Sequence, residues 1–195
     1  MLDLAKTPGE RKMVEYFRSK IGKDFGPTTI HEALDRGDPS RADCIYFWKW
    51  GAEADYSFIK KWCIANEDFN ALWWDEEYAR NSRWGGITAP PMYAISVDDG
   101  LQPVFEGFVY VYEHEDELEH HLRAFEADTI WEFFEPIRPG DRISSTSRLK
   151  DIIWKQGERG RLLIKYAETD LRNQKRELVA RNNSADVHVF KNIEE

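Results

Sequence analysis

The chain has 195 residues, 42% hydrophobic and 14% aromatic, and a formal net charge of −9 at pH 7. That length suits one domain with a short appendage and a proper core, and the acidic balance argues against nucleic-acid binding because no basic stripe offsets it. Eight tryptophans are too many to leave in water, so we expect many of them to line a core, an interface or an apolar pocket.

The cellular compartment is inferred from three sequence patterns that we do not find. Cys44 and Cys63 lie far apart and form no CxxC or Cys/His metal pattern, which is typical of a free-thiol cytosolic protein. The N-terminus has no apolar stretch of the signal-peptide kind. No run approaches the roughly eighteen apolar residues of a membrane span. We therefore expect a cytoplasmic protein without a membrane partner.

The first part of the chain predicts a helix followed by an arm. Residues 9–21 place apolar side chains at helical spacing, namely Met13, Val14, Phe17 and Ile21. Residues 22–44 are rich in glycine and proline and indicate an extended arm or lid. We therefore divide the chain into a helix and arm over residues 1–44 and a main domain over residues 45–195.

The main domain opens with short elements. Residues 45–52 are aromatic-rich and strand-like, and Ser57 is a candidate cap for the helix that follows. Asp75 is a candidate cap for a second short helix. Pro90-Pro91 then opens a further helix, because a proline in the first turn lacks only an N–H that has no intrahelical partner. Gly100 and Pro103 are expected to stop that helix.

The C-terminal half has the pattern of a β-sheet. Residues 104–112 are strand-like, and residues 113–124 form a charged insert expected to be a loop or helix. Four strand-sized runs follow, separated by turn residues at 138–140, 156–160 and 173–175. These runs predict an antiparallel meander. With a helix ahead of it, the class is α+β, with the sheet wrapped around a short central helix.

The stretch from Asn66 to Tyr93, NEDFNALWWDEEYARNSRWGGITAPPMY, carries a family pattern. It resembles the active-site segment of the MaoC-like hotdog hydratases and dehydratases, which act on CoA thioesters. In that family an Asp-x-Asn-Pro-aliphatic-His run precedes an acidic residue, a Glu-x-Tyr-Ala-Arg helix, a Gly-rich turn and a His-Gly-Met. The matching positions here are Asp68, Asn70, Leu72, Asp75, Glu77 to Arg80, Gly85, Gly86 and Met92. The resemblance covers roughly residues 45–190.

Two functional positions depart from the family pattern. Trp73 stands where the family has its histidine, and Pro90-Pro91 stand where it has His-Gly. The resemblance implies that an Asp and a His share acid–base work on a water, and that the backbone N–H of the glycine holds the enolate oxygen. An indole N–H only donates hydrogen bonds, and proline has no backbone N–H. Asp68 and Asn70 remain as the candidate catalytic residues. For Asp68 we favour a structural carboxylate at a turn or helix end, and for Asn70 a turn residue is an equally good interpretation.

The resemblance implies a noncatalytic partner. MaoC-like hotdogs work in pairs, and the phrase from Trp84 to Met92 resembles the halves called MaoC N-terminal or FAS1-like dehydratase domains. We predict a subunit that pairs with a second hotdog carrying the Asp/His set. The expected substrate is a bulky acyl-CoA, such as a steroid side-chain thioester, with no metal and no cofactor beyond the CoA thioester. Two alternatives stay open: a homodimeric acyl-CoA or lipid-binding protein, and a self-sufficient hydratase using Asp68.

The predicted site has two parts. Candidate substrate-binding residues are Trp73, Trp84, Gly85, Gly86, Met92 and Tyr93. An acidic chain must concentrate positive charge locally to hold phosphates, and the candidates for CoA are Arg138, Arg142 and Arg148, with ordinary surface charges as the alternative. The histidines at 114, 120 and 121 lie among acids, where a solvated loop is the simpler reading than a metal site.

Overall fold

The computed structural model describes residues 4–25, 53–97, 110–111 and 113–193. Three predictions lie outside the described residues: the arm beyond Phe25, the strand over 45–52 and the helix stop at Gly100 and Pro103. The boundary proposed between residues 44 and 45 also falls there.

In the described ranges, five helices precede or flank the sheet: α1 (Pro8–Lys20), α2 (Tyr56–Ala65), α3 (Ala71–Trp74), α4 (Glu76–Asn81) and α5 (Ala94–Val97). A 3-10 turn, Pro91–Tyr93, leads into α5, and another spans Glu115–Glu117. Helix α1 starts with a capping box in which Thr7 and Glu10 satisfy each other's backbone N–H.

Acidic and amide side chains cap the middle helices. Asp75 caps α4, as predicted, by accepting from the N–H groups of Glu77 and Tyr78. The cap of α2 is Asp55 and not Ser57: the Asp55 carboxylate accepts from two backbone N–H groups and from the Ser57 hydroxyl. A carboxylate accepts hydrogen bonds more strongly than a hydroxyl does. Asp55 is therefore the cap, and the Ser57 hydroxyl donates to it from within the first turn of the helix.

Among the residues that the structure describes, the sheet has five antiparallel strands: β1 (Asp24–Phe25), β2 (His121–Phe133), β3 (Ser144–Gly157), β4 (Gly160–Arg172) and β5 (Leu178–Phe190), in the order β1-β3-β4-β5-β2. Strands β3, β4 and β5 form the predicted meander.

The predicted four-strand meander is wrong for β2. This strand pairs with β5 and not with β3, its neighbour in sequence. The predicted turn at residues 138–140 is present but does not join β2 to β3 as a hairpin. It is stabilised locally, because the Arg138 N–H donates to the Asp141 carboxylate at 2.7 Å. It lies within the connection of residues 134–143, which leads from β2 at one edge of the sheet to β3 near the opposite edge. Ten residues exceed a hairpin loop, and Pro136 and Pro139 within this connection disfavour ladder pairing there.

Two further predictions need correction. Tyr110 and Val111, expected in a strand, lie in a helical turn, and the His114 N–H donates to the Tyr110 carbonyl at 3.1 Å. The charged insert ends earlier than expected, because β2 already begins at His121. No helix in the described parts of the chain is long and apolar enough to cross a membrane.

One face of the sheet, the inner face, carries two apolar clusters at its opposite ends. Cross-strand pairs place Leu163 and Leu171 of β4 on this face, near opposite ends of the strand. The Leu171 end packs against α2, α3 and α5. The Leu163 end packs against α1, whose Met13 and Phe17 are at most 2% exposed. The N-terminal helix therefore belongs to the core of the sheet.

The middle of the inner face is polar. Lys165 of β4 and Asp186 of β5 are opposite each other and buried, with 3.8 Å between Nζ and Oδ2. Next to them, His188 lies 3.2 Å from His121 between the ring nitrogens Nδ1 and Nε2. Burial raises the pKa of Asp186 to about 6, against the opposing effect of Lys165.

Candidate functional site

A cavity of about 330 Å³ opens where the segment before α5, helix α3 and the end of β2 meet. Its walls are mostly apolar and include Trp73, Trp84, Pro90, Pro91, Phe133 and Phe134. Its polar or charged lining residues include Arg83, Thr88 and Glu135. This volume lies at the lower end of the range for small-molecule sites, which are concave, mainly apolar and provided with a few polar groups.

Helix α3 brings Trp73 into the cavity wall. Asn70 caps this one-turn helix by accepting from the Leu72 N–H at 3.0 Å. With the turn fixed, Trp73 is 8% exposed and packs in the apolar cluster that contains Ala89 and Ile137. The sequence therefore positions a tryptophan, by a standard capping interaction, where the family pattern has a histidine.

Two contacts hold the glycine turn against the β2–β3 connection. The Arg138 guanidinium donates to the Trp84 carbonyl at 2.8 Å, and the Ala89 N–H donates to the Ile137 carbonyl at 2.7 Å. Gly85 has a φ of +69°, a left-handed conformation that glycine adopts without strain. The opposite walls of the cavity are thus tied by hydrogen bonds.

The described lining residues do not include the Asp/His pair of the family pattern. They include no histidine, and Glu135 is their carboxylate. Trp73 cannot act as a base because its indole nitrogen only donates. Pro91 cannot supply a backbone N–H to an enolate oxygen.

The Trp73 indole N–H is buried and has no hydrogen-bond partner among the described residues. Its neighbour Trp74 differs: the Trp74 Nε1 donates to the Asp68 carbonyl at 3.1 Å. Two adjacent tryptophans therefore have opposite hydrogen-bonding states, and the unpaired one lines the cavity.

Asp68 and Asn70 have local structural contacts. The Asp68 carboxylate accepts from the Asn70 N–H at 3.3 Å in the turn before α3, and Asn70 in turn caps that helix. Neither is among the described residues that line the cavity. The structure brings Trp73 and Pro91 together, but it does not bring Asp68 to them.

Only some of the other predicted substrate-binding residues line the cavity. Trp84 lines the cavity, whereas Gly85, Gly86, Met92 and Tyr93 are not among its described lining residues. Gly86 borders the Arg138 side chain. Met92 is 41% exposed beside Pro91. Tyr93 is in the core, edge-on to Trp62, and burial raises its pKa to about 12, with Asp55 adding to the effect.

The three predicted CoA arginines do not converge. Arg138 lies against the cavity loop through its bond to Trp84. Arg142 is exposed. Arg148, six residues further along an extended stretch, has its guanidinium 3.8 Å from the Glu168 carboxylate. Six extended residues span about 20 Å, so Arg142 and Arg148 cannot hold one phosphate together.

No histidine of the described residues is among those that line the cavity. The His114 ring bonds to the Tyr110 carbonyl at 2.9 Å, and His121 and His188 contact each other on the inner face. The described parts of the chain contain no group of three metal-ligating side chains.

Sequence reasoning missed Arg83, Thr88 and the pair Phe133-Phe134 as lining residues. Arg83 adjoins Trp84, and its guanidinium lies 4.1 Å from the centre of that ring. This proximity in sequence was a usable signal. No signal in the sequence placed the end of β2 beside Pro91, because that contact depends on the β2–β5 pairing.

Comparisons with known proteins match this architecture. A family model described as the FAS1-like, dehydratase domain region matches residues 47–182. No curated protein matches the chain significantly. In the structure of the ChsH1–ChsH2 complex from Mycobacterium tuberculosis, a chain 20% identical to this one aligns over 71% of this chain and 84% of its own, with a TM-score of 0.59.

Two MaoC-like dehydratases are also similar in structure. One, from Rhodospirillum rubrum, is 22% identical over 73% of this chain and 88% of its own, with a TM-score of 0.52. The other is 12% identical over 89% of this chain but only 43% of its own, with a TM-score of 0.54. At these identities the likeness shows the fold, and it confirms the predicted hotdog architecture.

Proposed function

The chain belongs to the family of FAS1-like dehydratase domain regions, and from this premise we propose that it is the noncatalytic subunit of a heteromeric enoyl-CoA hydratase or 3-hydroxyacyl-thioester dehydratase. Its role is to complete a pair of hotdog units and to form part of the acyl-CoA tunnel. The observation that carries this proposal is the cavity beside Trp73 and Pro91, which has apolar walls but neither a base nor an N–H donor at those two positions.

The rate loss expected without the oxyanion donor and the general base supports the proposal. Removing one donor to an oxyanion typically lowers the rate about a hundred- to a thousandfold, and removing a general base costs roughly a further hundred- to ten-thousandfold. Both are missing here at separate loci, Trp73 and Pro91. A partner subunit with an intact Asp/His pair would supply them.

Strand β2 offers a surface for that partner. Among the described residues it hydrogen-bonds on one side only, to β5. Five large apolar side chains on or next to it are 41–56% exposed: Leu122, Phe125, Ile130, Phe133 and Phe134. A second sheet added at this edge would pair the open backbone groups and cover the apolar side chains. An obligate interface of this kind buries more than about 2,000 Å².

The similar structures are compatible with pairing. One of them comes from a complex of two named components, and this chain spans only 43% of one MaoC-like dehydratase. In the second case the longer chain leaves room for another unit of similar size.

The cavity walls favour a bulky acyl group, such as a steroid side chain or a branched or aromatic thioester. Trp73, Trp84 and the two phenylalanines at the end of β2 surround a volume of about 330 Å³. A four-carbon chain would leave much of such an apolar space unfilled, and unfilled apolar space forfeits contacts. Arg138 is the predicted CoA ligand that borders this cavity, and the CoA role of all three arginines stays part of the proposal.

The decisive measurement is activity of the chain alone and with its partner. We expect no detectable hydration of crotonyl-CoA or of a steroid-sized enoyl-CoA by the purified chain, and turnover of the larger substrate once a hotdog subunit with an intact Asp/His pair is added. Asp68→Ala should leave the activity of the assembled enzyme unchanged because Asp68 is a turn residue. Turnover by the isolated chain that disappears in Asp68→Ala would instead establish the self-sufficient hydratase.

A homodimeric acyl-CoA or lipid-binding protein is the second candidate, since the same cavity without a base suits binding without turnover. Analytical ultracentrifugation distinguishes the two. A stable homodimer that does not bind the catalytic subunit supports the function of a binding protein. A one-to-one assembly with that subunit supports the proposal, and a monomer that persists at micromolar concentration in both mixtures contradicts both.

A further inference from the structure

We infer that Arg83 and Arg138 form an anion-binding site at the exposed rim of the cavity, and that this site holds a carboxylate or phosphate of a ligand whose apolar part fills the cavity. The inference rests on the proposed function because it names the substrate class for the same cavity. It replaces a plain hydrocarbon with an amphipathic anion and adds Arg83 to the predicted arginines.

Both guanidinium groups contact the same turn beside the cavity. The Cζ atom of Arg83 lies 4.1 Å from the centre of the Trp84 ring. The Nη2 of Arg138 donates to the Trp84 carbonyl at 2.8 Å, and its Nη1 lies 4.0 Å from where a Cβ on Gly86 would stand. Arg83 and Trp84 line the cavity. Two positive charges are therefore placed at one part of its wall.

A ligand can reach these groups. Arg83 is exposed and Arg138 is partly exposed. Gly86 has no side chain, and a Cβ there would have Arg138 as its nearest neighbour, at 4.0 Å. The turn is therefore open on the side of Gly86 that the Arg138 guanidinium borders.

The two guanidinium groups are held in place but are not neutralised. In the described parts of the chain, Arg83 stacks on an aromatic ring and Arg138 bonds to a carbonyl, and neither has a carboxylate as its partner. Four other arginines do pair with carboxylates: Arg148, Arg161, Arg172 and Arg181. Fixed donors lose less conformational entropy when they bind a ligand than free side chains do.

Guanidinium chemistry selects the class of ligand group. The planar fork of an arginine matches two oxygens of a carboxylate or phosphate, and it remains able to stack on an aromatic ring. The bond to the Trp84 carbonyl occupies one of the five N–H donors of Arg138 and leaves the others for a ligand.

The cavity walls specify the rest of the ligand. Trp73, Pro90, Pro91 and Phe133 offer apolar surface, while the rim is in contact with water. A ligand with its apolar part against these walls keeps its charge at the rim, so no unpaired charge is buried. Glu135 also lines the cavity, but it is exposed, and water and salt weaken its repulsion of an anion.

The anion has two possible sources in a thioester substrate. It is either a carboxylate on the acyl group itself or a phosphate on the carrier arm of the thioester. Both present the same oxygens to the two arginines, and probes that share one ring system distinguish them.

The test compares 2-naphthoate and 2-naphthyl phosphate with the neutral 2-naphthylmethanol. Binding is measured by isothermal titration to the full chain, alone and in the assembled enzyme. We expect at least one anion to bind about five- to tenfold more tightly than the alcohol, the gain of one charge-assisted hydrogen bond. At about 0.5 M NaCl this preference should shrink, because salt screens exposed charges.

Variants assign the preference to the two arginines. Arg83→Gln and Arg138→Gln should each weaken it, and the double variant should abolish it. A glutamine at 138 keeps an N–H donor for the Trp84 carbonyl. The matched control is Arg159→Gln, an exposed arginine in the turn between β3 and β4, which should keep the preference.

A further variant leaves both charges in place. Gly86 does not have a positive φ, so its backbone accepts a side chain. Gly86→Leu fills the open side of the turn and should weaken binding of the anions more than that of the alcohol. The comparison of the three probes on the unmodified chain needs no variant, so it remains decisive if the variants misfold.

A preference for 2-naphthoate identifies an acyl group that carries a carboxylate, and a preference for 2-naphthyl phosphate identifies the carrier arm. Equal affinity for all three probes, a preference that survives the double variant, or binding of none of them at millimolar concentration would each overturn the inference.

These outcomes are separate from those of the proposed function. If the chain assembles with the catalytic subunit but shows no preference for an anion, the pairing stands and the inference fails. If the preference is present but no assembly forms, the arginine site stands and the binding-protein alternative gains support.

Discussion

Arg161 ties together three distant segments of the chain. Its guanidinium bonds in a fork to the Glu10 carboxylate and donates to the carbonyls of Leu4 and Lys191. The side chains of Arg161 and Glu10 are 2% and 1% exposed. A buried charge is tolerated when it is paired and hydrogen-bonded, and this pair meets both conditions.

Breaking the pair should therefore be costly. Glu10→Ala leaves the Arg161 charge buried without its partner, and we expect a loss of about 3–5 kcal/mol in the free energy of unfolding. Glu15→Ala on the exposed side of the same helix should change it by less than about 0.5 kcal/mol. Urea denaturation measures both, and equal midpoints for the two variants would show that the pair contributes little.

Single residues also show where sequence matching stops. Asp75 was predicted correctly as a cap because a cap is a local interaction within three residues. Asp68 matched the family pattern equally well, yet its carboxylate bonds within its own turn. A motif fixes the order of residues along the chain, whereas a site also requires that the turn direct its side chain to the cavity.

At the scale of elements, local pairings were predictable and distant ones were not. The hairpin between β3 and β4 follows from Gly157 and Gly160, which enclose a two-residue turn. The pairing of β2 with β5 joins residues such as His121 and Phe190, far apart in sequence. Alternation along β2 indicates a strand but not its neighbour. Helix α1 is a similar case. Its periodicity predicted an apolar face, but it did not predict which part of the sheet that face packs against.

The open edge of β2 leads to a prediction about assembly. Ile130 is 56% exposed on this strand, and a lysine there would have to be buried in the proposed interface. We expect Ile130→Lys to abolish binding to the partner subunit while the fold is kept, because the change is at the surface. Ile64→Lys on α2, where the side chain is 57% exposed, is the matched control and should bind normally.

Surface plasmon resonance with the catalytic subunit immobilised measures this effect, and circular dichroism checks the fold of both variants. Unchanged affinity of Ile130→Lys would remove β2 from the interface and leave the pairing to another surface.

For the molecule as a whole, the polar middle of the inner face sets the response to pH. His188 is 1% exposed. Burial lowers its pKa well below the usual 6.5, and Lys165 and His121 add to the effect. The unfolded chain therefore binds this proton more tightly, so the contribution of His188 to stability is complete above pH 6.5 and is lost as the pH falls below it. Asp186 acts in the opposite sense: its pKa is raised to about 6, so its contribution is present below 3.8 and lost as the pH rises through 6.

A neutral replacement isolates the histidine. Between pH 7 and pH 5 the unmodified chain should lose about 1–2 kcal/mol more unfolding free energy than His188→Gln, at about 1.4 kcal/mol per unit of pH below 6.5. His120→Gln, with a side chain 30% exposed, serves as the control and should follow the unmodified chain. Parallel pH profiles for all three proteins would contradict the assignment.

The order of the strands has a consequence for how the chain is made in the cell. The ribosome releases β2 well before β5, so the backbone groups of β2 stay unpaired until its partner strand has been synthesised. Even after folding, the edge of this 13-residue strand that has no partner among the described residues is a template on which other strands can add. Molecules synthesised in excess of their partner would therefore be the first to aggregate. If the chain pairs with a second subunit as proposed, balanced production of the two, for example from adjacent reading frames, would protect this edge as effectively as any feature of its sequence.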